Sequence, residues 1–126
     1  MAKIAFITGT TSGFGAACAR LFAANGWSLI LCGRRQDRLE ALRAELATKV
    51  PVHAFTLDVR DEAAIKQAVA GLPAEFAEID VLVNNAGLAL GLEPAQRCDM
   101  DDWERMVDTN IKGLMYCTRA VLPGMV

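Results

Sequence analysis

Histidine and tyrosine occur once each in these 126 residues, tryptophan twice, and the charged side chains nearly cancel at a formal net charge of −2. That balance leaves no electrostatic footprint for nucleic acid or an anionic membrane surface. The four cysteines (Cys18, Cys32, Cys98 and Cys117) are widely separated and form no CxxC pair, so the plainer expectation is reduced, buried thiols rather than a metal cluster. The longest uncharged stretch, residues 4–19, is broken by Gly9, Gly13 and Gly15. It falls short of the roughly 20 apolar residues that a membrane-spanning helix needs. The start does not read as a signal peptide, because a glycine-rich turn stands where a cleavage region would be, and a cytosolic compartment is expected. No paired-carboxylate site or Ser/His/Asp arrangement is legible. His53, between Val52 and Ala54, has neither a nucleophile nor an orienting partner nearby in sequence.

What is abundant is apolar side chain. The hydrophobic fraction is 53%, with ten glycines besides, which excludes a disordered chain. The length suits one domain with a genuine core. The excess implies burial against a partner or membership of something larger.

The hydrophobic period switches repeatedly along the chain. Residues 3–8 (KIAFIT) form a nearly continuous apolar run, as a parallel strand buried on both faces requires. Residues 16–24 read as a helix with Cys18, Leu21 and Phe22 on one face, stopped by Asn25-Gly26. Residues 28–32 form a second strand. Residues 36–48 form an amphipathic helix with Leu39, Leu42 and Leu46 on its stripe. A third strand follows at 52–57, then a helix capped by Asp61 and ended by Gly71 and Pro73. Residues 79–83 are the fourth strand. Asp101 with Glu104 predicts a capping box for a last helix carrying Trp103, Met106, Val107, Asn110, Leu114 and Val121 on one side, closed by Pro123-Gly124. Four alternating β-α units predict a parallel sheet with right-handed crossovers, a doubly wound three-layer α/β/α sandwich.

Between the first strand and helix lies Thr8-Gly9-Thr10-Thr11-Ser12-Gly13-Phe14-Gly15. Gly9 permits a tight reversal, Gly13 a close backbone approach to a pyrophosphate, and Gly15 close packing of helix on sheet. The helix N-terminus then offers unpaired N–H groups to the phosphates, and Thr10, Thr11 and Ser12 add hydroxyls. A glycine-rich loop without a ligand is the plainer alternative. At the end of strand two, where a dinucleotide site meets the adenosine ribose, stands Gly33-Arg34-Arg35. No carboxylate is there to bind a free 2′-hydroxyl, and two guanidiniums suit a 2′-phosphate, so the reading favours NADP over NAD. A solvated helix start is the alternative for both arginines, although cations there oppose the helix dipole. Asp58 and Val59 follow strand three, where Asp58 could accept from an adenine amino group or simply shape a turn. Asn84-Asn85-Ala86-Gly87 follows strand four and suits a crowded loop against a cofactor, or a plain turn.

The segments TGTTSGFG (8–15), NNAG (84–87) and Asn110 within TNIKG (109–113) resemble the short-chain dehydrogenase/reductases, in order and over residues 3–126. The resemblance implies a Rossmann sheet and hydride transfer between NADP(H) and a small alcohol or carbonyl substrate. It places Gly9, Thr11, Ser12, Gly13, Phe14 and Gly15 at the pyrophosphate and Arg34 and Arg35 at the 2′-phosphate. It sets Asp58 and Val59 beside the adenine, with Asn85, Ala86 and Gly87 along the adenosine-side ribose. Asn84 would help fix the sheet. Asn110 would hold a water in a catalytic proton relay, or else serve as a buried structural amide on the apolar stripe. Position 12, basic in some NADP-using relatives, is serine here, which leaves phosphate recognition to the arginines. The runs 84–96 and 118–125 look like the NADP-dependent 3-hydroxy acid dehydrogenases, the branch acting on serine, allo-threonine and related β-hydroxy acids.

The family's catalytic Ser and Tyr-x-x-x-Lys do not occur. The single tyrosine, Tyr116, is followed four residues later by Ala120 and reads as a packing residue. Residues 1–126 are therefore expected to be the NADP-binding portion of a single-domain enzyme about twice as long, inactive alone, with the fourth strand's outer edge unpaired. A non-catalytic dinucleotide-binding or interaction module is the other reading. Apolar residues lie on more than one side of the last helix, with Ile111, Met115 and Tyr116 off the main stripe, so a homo-oligomer contact is expected through residues 101–122.

Overall fold

The computed structural model describes residues 2–11, 13–88, 90–91 and 93–126. Four strands, β1 (Ile4–Ile7), β2 (Ser28–Gly33), β3 (Val52–Thr56) and β4 (Val81–Val83), form one sheet in the order β3-β2-β1-β4. Every pairing is parallel, with Phe6 opposite Ile30, Leu31 opposite Ala54 and Ala5 opposite Val81. Such pairing requires crossovers, supplied by α1 (Gly13–Ala24), α2 (Gln36–Leu46) and α3 (Glu62–Ala70). A longer helical segment then runs through α4 (Met100–Val107), a π-helical turn (Asp108–Gly113) and α5 (Leu114–Met125). The architecture is the doubly wound α/β fold that the alternating periods predict.

β1 and β2 are buried throughout, and their residues alternate between two cores. Ala5, Ile7, Leu29 and Leu31 face α1 and α2, meeting Ala19, Ala23, Leu39, Leu42 and Leu46. Phe6, Ile30 and Cys32 face the opposite layer, meeting Ile65, Phe76, Cys117 and Val121. The apolar run of β1 thus fills both sides of one sheet. Among the described residues β4 pairs with β1 alone, so its other edge is open.

Three helix expectations are corrected. On α1 the buried face is Gly15, Ala19 and Ala23, while Leu21 is 67% exposed and Cys18 and Phe22 pack only at the flank. Small residues four apart let the helix lie close to the sheet, and no space remains there for Leu21. The α4 cap is Asp99, whose side chain accepts from the Asp101 N–H, rather than Asp101 itself. Nor does Pro123-Gly124 end α5: the helix runs to Met125, and the Val126 N–H still reaches the Leu122 carbonyl.

The stripe expected on the last helix also fails. Trp103, Val107 and Leu114 are exposed, and the buried face is Thr109, Gly113, Cys117 and Val121. A π turn inserts an extra residue into the helical repeat and changes its phase. Residues that share a face in a continuous α-helix are thereby separated. By contrast, Asp61 caps α3 through the Ala64 N–H and Gly71 ends it, as expected. Cys32 and Cys117 are buried free thiols, whereas Cys18 and Cys98 are only partly covered, which corrects the expectation for those two.

Candidate functional site

All four strands end toward one cleft of about 580 Å³. Its position, where the connections after the neighbouring strands β1 and β4 leave to opposite sides of the sheet, is where ligands bind in open α/β folds. The cleft is lined by Gly9, Thr11, Gly13 and Phe14 after β1, by Arg34 and Arg35 after β2, and by Asp58 and Val59 after β3. Asn85, Ala86 and Gly87 complete it after β4. Most of the residues singled out from the sequence are therefore brought together. Ser12 lies outside the described residues. Gly15 sits beneath the turn rather than on the cleft wall, and Asn110 is not on the wall either.

The glycine turn is shaped by what a side chain would strike. Gly9 has φ +66°, and a Cβ there would lie 2.7 Å from the Ala86 Cα. At Gly15 a Cβ would run into the Gly9 carbonyl oxygen and lie 2.5 Å from Asn85 Nδ2. Gly13 has φ +57° with open space around it. Beside them, Thr8 ties β1 to the loop after β4: its Oγ1 accepts from the Asn85 and Ala86 N–H groups, each at 3.0 Å. Asn85 returns the link, its Nδ2 donating to the Gly9 carbonyl at 2.9 Å. Asn84 ties the same loop to α5, donating to Thr118 Oγ1 at 3.0 Å.

Two further expectations change. The Thr10 hydroxyl is fully buried and donates to the Cys32 carbonyl at 3.0 Å, so it is not free for a phosphate. Asn110 is exposed rather than buried on an apolar stripe. Its amide brackets Leu88, accepting from that N–H at 2.7 Å and donating to that carbonyl at 2.8 Å. It thereby holds a cleft-lining residue from behind.

Three residues of consequence escape a sequence reading. Arg38, in the first turn of α2, joins Arg34 and Arg35 on the cleft wall, a placement consistent with the R-R-x-x-R spacing. Arg60 forks onto Asp58, with Nη2 at 2.7 Å from Oδ2 and Nε at 3.1 Å from both oxygens. These charge-assisted bonds hold the Asp58 carboxyl below the ordinary carboxylate range despite partial burial, with Arg34 adding to the effect. Thr109, also on the wall, is 6% exposed, and its Oγ1 is buried without a hydrogen-bond partner among the described residues. No sequence signal marks that hydroxyl, because the π turn that strands it is itself invisible in the sequence.

A cleft lined by glycines and three arginines, where parallel strands end, is the arrangement of a nucleotide site in the α/β class of proteins. Residues 3–126 match the family model for short-chain dehydrogenases, and the chain belongs to that family. It is 58% identical over 123 residues to the NADP-dependent 3-hydroxy acid dehydrogenase YdfG of Salmonella typhi, covering 98% of this chain and 49% of that protein. It is 56% identical over 126 residues to sulfoacetaldehyde reductase 2 of Chromohalobacter salexigens, covering 100% of this chain and 50% of the other. Among solved structures, a closed serine dehydrogenase complexed with NADP⁺ matches at 54% identity and a TM-score of 0.93, covering 98% of this chain and 49% of that one. The chain spans about half the length of the curated relatives it matches.

Proposed function

We propose that the chain is the NADP-binding portion of an oxidoreductase acting on a small hydroxy or carbonyl substrate, and more narrowly on a 3-hydroxy acid. The observation that carries this reading is the pairing of a glycine cradle with Arg34, Arg35 and Arg38 on one cleft wall. The residues fit the cofactor. A Cβ at Gly9 would strike the loop after β4 and one at Gly15 the turn itself, so glycine at both positions keeps the shape of a phosphate cradle, and no carboxylate occupies the end of β2.

In this reading the Gly9–Gly15 turn holds the pyrophosphate, with Thr11, Ser12, Gly13 and Phe14 along it. Arg34 and Arg35 hold the 2′-phosphate, and Arg38 adds a third positive charge. Asp58 and Val59 flank the adenine, while Asn85, Ala86 and Gly87 line the adenosine-side ribose. When bound, NADP(H) supplies or takes up the hydride. Asn110 keeps Leu88 and the loop after β4 in place and serves the catalytic proton relay. The catalytic Ser and Tyr-x-x-x-Lys belong to a continuation of the single domain, which also covers the open edge of β4. Residues 1–126 alone bind cofactor without turnover.

The α4–α5 segment is proposed as a contact with a second copy through residues 101–122. Ile111 is 55% and Met115 59% exposed, an apolar surface that supports such a contact. A cytosolic location agrees with the absence, among the described residues, of any helix long and apolar enough to cross a membrane.

The test is turnover by the full-length protein as its gene encodes it. NADPH formation from NADP⁺ with serine or another 3-hydroxy acid is the expected result. Tight NADP⁺ binding without turnover of any alcohol or aldehyde would instead support a non-catalytic dinucleotide-binding module.

A further inference from the structure

Asp58 and Arg34 share a wall. Both line the main cleft, and both line a shallower depression beside it. A carboxylate this near the arginine that would hold a 2′-phosphate is a liability twice over. It repels the phosphate, and it competes with it for the guanidinium. Yet Arg34 makes no ion pair among the described residues, while Asp58 is paired with Arg60. Arg60 occupies both carboxylate oxygens through its side chain, and its own N–H adds a bond to Oδ1 at 3.0 Å. Arg60 itself is not on the wall of the cleft, so its influence on a ligand passes through Asp58.

We propose that Arg60 is a positioning residue that sets cofactor preference, engaging Asp58 so that Arg34 stays available to a 2′-phosphate. The inference rests on the NADP reading above and adds a residue that acts behind the phosphate site. Without Arg60, the Asp58 carboxylate turns to Arg34. The end of β2 then carries a neutralised pair, which is closer to what a free 2′-hydroxyl tolerates than to what a phosphate needs. The consequence is selective: NADP⁺ loses more affinity than NAD⁺, because a disturbance on the adenine side is common to both.

The experiment measures equilibrium dissociation constants for NADP⁺ and NAD⁺ by calorimetry on the full-length protein and three variants, Arg60→Ala, Asp58→Asn and the double variant. Arg60→Ala is expected to weaken NADP⁺ binding about three- to fivefold, the scale of one partly exposed ion pair. NAD⁺ binding should stay within twofold. The double variant should recover the wild-type ratio of the two constants, because no carboxylate remains to capture Arg34. Arg60→Met, which keeps the side-chain stem, should repeat the selective loss, and Arg60→Lys should largely prevent it. Equal weakening of both cofactors by Arg60→Ala overturns the proposal in favour of a purely structural role. So does failure of the double variant to recover the ratio. If the wild-type protein shows no preference for NADP⁺, the NADP reading itself fails, and that outcome is visible before any variant is made.

Discussion

Asn110 brackets the backbone of Leu88, accepting from its N–H and donating to its carbonyl with the two ends of one amide, at 2.7 and 2.8 Å. The π turn carries Asn110, and the loop after β4 carries Leu88, so this pair joins the last helix to the cleft. Replacement by alanine removes both bonds, at about 0.5–1.5 kcal/mol each. Hydrogen exchange at the Leu88 amide should accelerate in Asn110→Ala. Asn110→Asp should fall between wild type and Asn110→Ala, since a carboxylate still accepts from the Leu88 N–H but cannot donate to the Leu88 carbonyl. Unchanged exchange at Leu88 in both variants would show that the bracket does not hold the loop.

Gly13 and Gly15 separate backbone strain from collision. A methyl group at Gly13 meets nothing within 4 Å among the described residues, so the cost to folding there is the positive φ. That cost is about 1–2 kcal/mol. At Gly15 the methyl group meets the Gly9 carbonyl and the Asn85 amide, so the turn itself must move. Gly15→Ala should therefore lower the thermal midpoint far more than Gly13→Ala, whose effect should fall on NADP⁺ affinity at the cleft wall. Binding isotherms and thermal melts on both variants check the order.

Thr109 and Thr118 lie on the same helical segment with different outcomes. Thr118 donates to the Leu114 carbonyl at 2.8 Å, whereas the Thr109 hydroxyl in the π turn has no partner among the described residues. An unsatisfied buried hydroxyl costs about 1–3 kcal/mol. Thr109→Val, nearly the same shape, should therefore raise the thermal midpoint of the cofactor-free protein. A lowered midpoint would mean that the hydroxyl is satisfied in solution.

Asp58 and Cys117 are among the groups that make stability pH-dependent, and they act from opposite ends. The Arg60 fork depresses the folded-state pKa of Asp58, so its stabilisation is present above the ordinary carboxylate value of 3.8 and is lost as pH falls through the lower folded value. Burial pushes the Cys117 thiol from 9.0 up to about 11. Its contribution is present below pH 9 and is lost as pH rises toward the folded value. Denaturation midpoints across pH should fall at both ends, and Asp58→Asn should flatten the acid limb only. At neutral pH, Cys18 and Cys98 should react with thiol reagents before Cys32 and Cys117.

The sheet and most of the cleft were legible because parallel strands buried on both faces leave continuous apolar runs, and loops at their ends collect glycine, asparagine and arginine. Leu39, Leu42 and Leu46 form the buried face that their spacing implies, and Asp61 caps the helix that it precedes. Legibility failed where packing overrode hydrophobicity. On α1, alanine is buried and Leu21 exposed, because close approach to the sheet selects for size. It failed again at the π turn, whose extra residue is a backbone event without a residue signature. Arg60 was missed because its partner lies two positions away, inside a stretch that reads only as a turn.

The central claim is that Arg34 and Arg35 make this an NADP site, and equilibrium binding of NADP⁺ and NAD⁺ to the Arg34→Ala/Arg35→Ala variant tests it most directly. Charge-assisted bonds to a phosphate are worth about 1.5–3 kcal/mol each. The account therefore predicts at least a tenfold loss of NADP⁺ affinity, with NAD⁺ affinity within about twofold of wild type. Unchanged NADP⁺ affinity in the double variant would contradict it.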